Sequence, residues 1–227
     1  CTAANFTLVG QVGDFGHARH YVVAYRATSS EASPRSGKLY SLRVFEKADI
    51  IGERTQQRIL DERRLWSVLE PSPTFARLLG SFSDADSLFE LCDTVLSLEL
   101  RDLVSGPTEP AAALFYVAAV ANGLQHLHDH DVVYRSATID TRVLDSGGYP
   151  QLICMSLVRS LAATGRTYTL CGTPGYLAPE QVALKGHGTA ADAWGLGVLA
   201  YELLTGTLPW AGTSDELQID QAITRHG

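Results

Sequence analysis

Apolar residues in the first part of the chain form short runs that are separated by polar turns. These runs are rich in β-branched and aromatic residues, which favours strands. Within residues 38–45, Tyr40, Leu42 and Val44 alternate with other positions and are predicted to share one face of a strand. The predicted strands are residues 6–12, 21–27, 38–45, 75–82 and 87–92.

One helical pattern interrupts these strands. Apolar side chains in residues 56–69 recur at the spacing of a single helical face. Pro71 follows the pattern and is expected to end the helix. The predicted buried side of this helix is formed by Ile59, Leu60, Trp66 and Leu69.

The rest of the chain is predicted to be mostly helical. Residues 109–128 form a long, almost entirely apolar helix, and residues 192–204 and 215–226 form two more. Short strands are expected at residues 132–133, 143–144 and 151–158. The pattern therefore predicts an α+β protein with a small β-rich part followed by a larger helical part.

Composition and charge narrow the possible functions. The chain has 227 residues, of which 45% are hydrophobic and 19% charged, as in an ordinary globular protein. Its net charge of −7 argues against a nucleic-acid binder, which needs a basic face to neutralise phosphates. The longest apolar run, residues 111–121, is too short to cross a bilayer, so no membrane partner is expected.

The cysteines indicate the cellular compartment, and the first residue indicates that the chain is part of a longer protein. Four scattered cysteines form neither a metal-binding pattern nor a disulfide scaffold, so we expect a reduced intracellular protein, in the cytoplasm. The chain begins at Cys1, and its only methionine is Met155. We therefore expect a piece of a longer protein, whose other domains would be partners of this one.

A long motif in the helical part resembles a known family. Residues 170–180 have the sequence LCGTPGYLAPE, and residues 192–198 (DAWGLGV) and 201–206 (YELLTG) follow it. The first string resembles the end of a protein-kinase activation segment with its A-P-E motif. The LCGTP sequence within it is similar to that of the AGC group of kinases, and within that group to the cyclic-nucleotide-dependent serine/threonine kinases. The resemblance extends from about Leu8 to Ile219.

The resemblance implies a bilobal protein-kinase fold. Residues 1–95 would form the N-lobe and hinge, and residues 96–227 would form a C-lobe that lacks its last helices. A narrower resemblance, around residues 131–135 and 184–192, is to the kinase part of plant-type proteins that fuse a protein phosphatase 2C, cyclic-nucleotide modules and a kinase.

The resemblance places a degenerate glycine loop near the N-terminus. Gly13 and Gly16 fit the second half of the loop, but Gln11 stands where the first glycine is expected. A side chain there crowds the close backbone approach that glycine permits. Ala18 replaces the valine that usually covers the adenine.

Other nucleotide-binding positions are altered in the same way. Ser41 and Arg43 stand in the A-x-K motif of the third strand, so that arginine replaces the phosphate-binding lysine. Glu62 fits the helix glutamate that would pair with it, and this pair could survive as a structural link. Cys92 fits the gatekeeper, and Val143 would line the same cleft.

The catalytic positions depart furthest from the family. Ser136 replaces the aspartate that accepts the hydroxyl proton, and Thr138 replaces the loop lysine. Thr141 and Cys154 replace the two metal ligands, although Mg²⁺ prefers oxygen ligands such as carboxylates. The resemblance thus leaves no catalytic residue intact and no metal site. We expect no cofactor beyond weak, Mg²⁺-independent ATP binding.

Peptide-binding positions are better retained. Glu99, Asp140 and Glu202 fall where basophilic AGC kinases carry the acids that hold substrate arginines. They would suit a basic peptide or protein segment, which could belong to the same chain. The alternative is that all three are ordinary surface acids.

The activation segment also keeps its regulatory positions. Thr169 fits the phosphorylation site, with Arg135 as the phosphate's partner. Thr173 is the threonine of the LCGTP sequence, and Glu180 is the glutamate of the A-P-E motif. Thr169 could equally be an unmodified loop residue.

Two functions of different classes follow from these residues. The first is a catalytically inactive kinase domain that serves as a regulatory or peptide-binding module in a larger signalling protein. The second is an active serine/threonine kinase with atypical catalytic residues.

Overall fold

In the computed structural model, the N-terminal strands pair into one antiparallel sheet. The strands lie in the order β1-β2-β3-β5-β4. Their bounds are β1 Phe6–Phe15, β2 Ala18–Tyr25, β3 Leu39–Glu46, β4 Leu78–Ser83 and β5 Ser87–Cys92. The structure describes residues 2–15, 18–26, 36–50, 52–69, 72–103, 106–139, 142–145, 147–152, 155–210, 212 and 215–226.

The two faces of this sheet carry different side chains. Tyr40 and Leu42 on β3 cluster with Val23 and Phe89, which are also buried. Arg43 lies on the opposite face, because successive residues of a strand point to opposite sides. That second face is the one to which the first helix attaches.

Helix α1 (Glu53–Val68) packs on the sheet. Ile59 and Trp66 are buried, as the apolar pattern predicts. The prediction for Leu60 is wrong, because its side chain is 40% exposed. Neighbouring helix positions are about 100° apart, so the buried stripe at Ile59 does not extend to the next residue.

The second part contains the other helices and several short strands. Strand β8 lies between β6 and β9 and pairs with both, and β10 pairs with β7. The bounds are β6 Leu96–Glu99, α2 Leu100–Leu103, α3 Pro110–His128, β7 Val132–Val133, β8 Arg142–Asp145, β9 Pro150–Leu152, β10 Arg159–Ser160, α4 Pro179–Val182, α5 Ala190–Thr205 and α6 Glu216–His226.

One predicted strand is much shorter than expected. The sequence predicts a strand over residues 151–158, but β9 ends at Leu152. Residues 156–157 form a turn, with the backbone N–H of Val158 donating to the carbonyl of Met155 at 3.2 Å. Met155 is fully buried, so the apolar character of residues 155–158 reflects a buried turn rather than a strand.

The main core lies around α3 and α5. Leu127 and Leu199 are fully buried there, and the cluster continues into the first lobe through Trp66 and Ala76. Helix α5 ends at Thr205 and is followed by the C-cap residue Gly206, whose φ is +75°. A Cβ at Gly206 would lie 3.0 Å from backbone atoms of Gly106 and Pro107, so the turn requires glycine.

The described elements form the α+β architecture that the sequence predicts, with a β-rich N-lobe followed by a helical C-lobe. Among the described residues, no helix combines the length and apolar character needed to cross a membrane.

Candidate functional site

Arg43 lies at the centre of a buried ion cluster. Its Nη2 donates to Glu62 Oε1 at 2.7 Å, and its Nη1 donates to Glu90 Oε2 at 2.9 Å. Glu62 comes from α1, and Glu90 is the direct cross-strand partner of Arg43 on β5. The guanidinium carbon lies 5.1 Å from the ring centroid of Phe45 and 4.9 Å from that of Trp66.

Burial and neighbouring charges have opposite effects on the pKa values of this cluster. Burial alone would lower the pKa of Arg43, but Glu62 and Glu90 raise it above its usual value. Burial raises the pKa of Glu90, and the charges of Arg43 and Arg63 only partly offset that rise. Burial likewise raises the pKa of the Cys92 thiol, which stays neutral at physiological pH.

The described part of the glycine loop is the end of β1, whose pairing with β2 shifts register between Gln11 and Gly13. Gln11 Nε2 donates to Asp14 Oδ1 at 2.8 Å, and Gly13 pairs with His20 on β2. Val12 packs against the main core cluster, which includes Cys92 and Leu144.

The predicted nucleotide-contacting residues are only partly assembled by the described structure. Ala18 is buried in a separate cluster with Phe45, Ile50 and Ile59, and Ser41 is buried on β3. Gly16 and the side chain of Val143 lie outside the described part of the chain.

A stack of side chains connects the two lobes. Trp66, Tyr134 and Met155 are buried in one cluster, and Leu78 packs against it. Trp66 Nε1 donates to the carbonyl of Ala76 at 2.8 Å, which ties α1 to the segment before β4. Packing explains these residues without any ligand.

The loop after β7 is held by Asp192 of α5. Asp192 Oδ2 accepts from the backbone N–H of Tyr134 at 2.8 Å, and Oδ1 accepts from that of Arg135 at 2.7 Å. His128 Nε2 lies 2.8 Å from Oδ2 of the same carboxylate. Arg135 has a φ of +63°, and these contacts hold the backbone in that uncommon conformation.

Two residues of this loop, Ser136 and Thr138, carry hydroxyl groups. Ser136 and Thr138 are both buried, and the backbone N–H of Thr138 donates to the carbonyl of Ser136 at 2.9 Å. Thr141 and Cys154 lie outside the described residues. Among the residues that are described, no group of three or more His, Cys, Asp or Glu side chains is arranged to hold a metal ion.

Arg135 points toward the activation segment. Its Nε donates to the carbonyl of Leu157 at 2.6 Å, while Nη1 is buried without a hydrogen-bond partner among the described residues. Burial lowers the pKa of Arg135, and the nearby charges of Arg159 and Arg58 lower it further. Three arginines therefore lie close together in this part of the molecule.

The activation segment is partly exposed. Thr169 is exposed, and Thr173 and Glu180 are half-buried. Within the described residues, Glu180 has no ion-pair partner. Gln181 holds the segment instead, because its Oε1 accepts from the backbone N–H of Ala178 at 2.9 Å and its Nε2 donates to the carbonyl of Cys171 at 3.3 Å.

Glu202 is the one predicted peptide-binding acid whose side chain is described. It is buried, accepts a hydrogen bond from the hydroxyl of Tyr176, and lies 3.4 Å from Arg101 Nη2. The side chain of Glu99 and all of Asp140 lie outside the described part. Sequence reasoning missed the contacts of Glu202 with Tyr176 and Arg101, which no spacing in the sequence indicates.

This arrangement of lobes, ion pair and anchored loop defines a protein kinase domain. The family described as "Protein kinase domain" matches residues 30–226, so the chain belongs to that family. The relatives to which it is similar include cyclic-nucleotide-dependent kinases of the AGC type.

Three relatives illustrate the similarity. The chain is 33% identical over 181 residues to cGMP-dependent protein kinase, isozyme 2 forms cD5/T2, of Drosophila melanogaster, covering 78% of this chain and 19% of that protein. It is 31% identical over 187 residues to human cGMP-dependent protein kinase 2, covering 82% and 24%. It is 33% identical over 180 residues to cAMP-dependent protein kinase type 3 of Saccharomyces cerevisiae, covering 78% and 44%.

Proposed function

We propose that this domain is a catalytically inactive kinase domain that serves as a regulatory, peptide-binding module of an intracellular signalling protein. The observation that carries the proposal is the composition of the loop that follows β7. The backbone of this loop is held by Asp192 through two hydrogen bonds. The family resemblance assigns to Ser136 and Thr138 the positions at which phosphoryl transfer needs a carboxylate and an ammonium group, and both side chains carry only hydroxyls.

The missing groups act at the phosphoryl-transfer step itself. A carboxylate that aims the acceptor hydroxyl and a cation that neutralises the phosphoryl oxygens are the main contributions of such a loop. Loss of one charge-stabilising group costs about 100- to 1,000-fold in rate. Serine and threonine hydroxyls are neutral at physiological pH and replace neither charge.

Nucleotide binding is expected to be weak and independent of Mg²⁺. The cation at the phosphate-binding position, Arg43, is already paired with Glu62 and Glu90. Thr141 and Cys154 offer no carboxylate for a metal ion. A thermal-shift titration with ATP, with and without Mg²⁺, tests this point. A shift that grows strongly with Mg²⁺ would favour an active kinase with atypical residues.

A transfer assay on the purified domain tests inactivity directly. We expect no incorporation of radiolabelled phosphate from Mg²⁺-ATP into a basic peptide. The matched comparison is a variant with Ser136→Asp, Thr138→Lys, Thr141→Asn and Cys154→Asp, which restores the family's charges. Incorporation by the unaltered domain that disappears in Arg43→Met would overturn the proposal.

The peptide-binding part of the proposal rests on acidic residues at family positions. Glu202 is fixed by Tyr176 and lies at the position of a substrate-arginine acid, and Glu99 and Asp140 would complete the set. Several carboxylates that face two arginines give bidentate, charge-assisted contacts. The ligand would be a basic peptide or a basic segment of the parent protein.

Fluorescence anisotropy with a peptide containing Arg-Arg-x-Ala tests this binding. We expect binding that weakens with salt, because ionic contacts are screened. Glu99→Lys should remove it, and Glu202→Gln should weaken it while leaving the acceptor for Tyr176 in place. If all three proteins bind the peptide equally, these acids are surface charges only.

The activation segment offers a regulatory site of the same module. Thr169 is exposed, and Nη1 of Arg135 is buried without a hydrogen-bond partner among the described residues, which supports phosphorylation of Thr169 with the phosphate bound by arginine. The segment would then be ordered by phosphate contacts. A Thr169→Glu variant and a phosphorylated sample, compared by proteolysis of the segment, test this expectation. Equal cleavage of all forms would count against it.

A further inference from the structure

Arg43 joins three elements of the N-lobe through one side chain. It lies on β3, its partner Glu90 lies directly opposite on β5, and Glu62 reaches it from α1. We propose that this cluster is a permanent bridge that fixes α1 against the sheet without a nucleotide or a metal ion. In this proposal, Glu90 is the residue that makes the bridge permanent. The proposal holds whether or not the domain binds peptides.

The guanidinium is suited to this task in a way that lysine is not. Its planar fork donates along two edges, whereas an ammonium group is a compact charge on a flexible stem. Both terminal nitrogens of Arg43 are used, one for Glu62 and one for Glu90. A lysine at this position would satisfy one carboxylate well and leave the other without a close partner.

Aromatic rings restrict the guanidinium further. Its carbon lies about equally far from the ring centroids of Phe45 and Trp66, at 5.1 Å and 4.9 Å. Arg43 is only 1% exposed. Turning it toward the cleft would break both ion pairs and these ring contacts, so its cation is not available for phosphates.

Arg63, the residue after Glu62 on α1, makes a second contact with the sheet. Arg63 Nη1 donates to Ser81 Oγ on β4 at 3.2 Å. Consecutive residues of α1 therefore contact β3 and β4, and Glu90 on the strand between them completes the network. The helix is tied to the sheet at several points that involve only protein groups.

Burial determines how much the ion pairs of this bridge contribute to holding α1 on the sheet. The side chains of Arg43, Glu62 and Glu90 are at most 5% exposed. Losing the second contact of Arg43 leaves a buried carboxylate without a close cation, which is strongly unfavourable. Losing Glu90 removes the tie to β5 and leaves Glu62 alone to balance Arg43. An exposed pair on the same sheet, Arg19 and Glu46 at 3.4 Å, is screened by solvent and provides a matched comparison.

Hydrogen exchange, followed by mass spectrometry, measures whether the bridge holds α1. The variants are Glu90→Leu and Arg43→Lys, with Glu46→Gln as the control. We expect amides of α1 to exchange about tenfold faster in both variants, because local opening is easier once the bridge is broken. Amides of α3, in the other lobe, should exchange as in the unaltered protein, and so should both helices in the control.

Two results would overturn the proposal. The first is α1 exchange within about threefold of the unaltered protein in both Glu90→Leu and Arg43→Lys, since ordinary opening would then not involve the bridge. The second is a slowing of α1 exchange in the unaltered protein by more than about threefold on addition of Mg²⁺-ATP, because the nucleotide would then position the helix. If Glu90→Leu does not fold, Glu90→Gln replaces it under the same criteria.

Discussion

The carboxylate of Asp192 accepts the backbone N–H of Arg135 at 2.7 Å, across 57 positions of sequence. The same carboxylate accepts the N–H of Tyr134 and contacts His128. It is buried, and it joins α5 to the loop and to the end of α3. The loop keeps its shape through this contact, independently of the chemistry of its side chains.

Replacing Asp192 by alanine should therefore destabilise the domain substantially. Two buried backbone donors and one imidazole would lose their acceptor, and a single unsatisfied buried group costs about 1–3 kcal/mol. We expect the free energy of unfolding to fall by about 3 kcal/mol in urea titrations. Asp61→Ala, at an exposed pair with Arg64, should change it by less than about 0.5 kcal/mol. Equal losses in both variants would mean that Asp192 is not a structural anchor.

Glu90 shows what the sequence could not predict. The alternation in residues 87–92 is typical of a strand, but a lone acid there suggests a solvent-facing position. Only the register of β3 and β5 places Glu90 opposite Arg43. Glu62, by contrast, could be matched to Arg43 through the family pattern, because that pattern fixes both positions at once.

The errors in element bounds have a similar origin. Periodicity located the long helix at residues 109–128, which the structure has as Pro110–His128. It failed at residues 155–158, because a buried turn and a buried strand are equally apolar. Contacts between distant residues, such as Arg101 with Glu202, depend on how the elements pack and leave no periodic trace.

The pH dependence of stability should reveal the burial of Glu90. Burial raises the pKa of Glu90 in the folded protein above its ordinary value of 4.5. A raised carboxyl pKa means that the folded state binds the proton more tightly than the unfolded state. The stability of the unaltered protein relative to Glu90→Gln should therefore rise as the pH falls through that raised pKa, and level off below 4.5.

Urea unfolding of both proteins at a series of pH values checks this trend. Both proteins carry the same other titrating groups, so their difference reports Glu90 together with its charge coupling to Glu62. A relative stability that falls with decreasing pH would show instead that Arg43 dominates and lowers the pKa.

His187 should make the domain sensitive to acid. It is buried, and its Nε2 has no hydrogen-bond partner among the described residues. Burial, followed by the nearby charge of Arg135, lowers the pKa of His187 below 6.5. The unfolded state then binds the proton first, so stability is lost as the pH falls from 6.5 toward the folded pKa.

The comparison for His187 uses melting temperatures between neutral and mildly acidic pH. We expect His187→Gln to lose less stability than the unaltered protein over this range. His130→Gln, at an exposed histidine, should behave like the unaltered protein. If His187→Gln is equally acid-sensitive, other groups cause the acid loss.

Arg101 should compete with a basic peptide for Glu202. Its Nη2 lies 3.4 Å from Glu202 Oε1, while Tyr176 donates to the other carboxylate oxygen. A peptide arginine can use Oε1 fully only when Arg101 withdraws. The Arg101 side chain is 48% exposed, so solvent screens the contact, and its loss is worth about 0.5–1 kcal/mol.

Arg101→Ala should therefore bind the Arg-Arg-x-Ala peptide about two- to fivefold more tightly in the anisotropy assay. Arg64→Ala removes the same charge from an exposed site on α1 and serves as the control, because it changes the overall field without touching Glu202. Equal tightening in both variants would assign the effect to net charge alone. Weaker binding by Arg101→Ala would mean that Arg101 positions Glu202 for the peptide rather than competing with it.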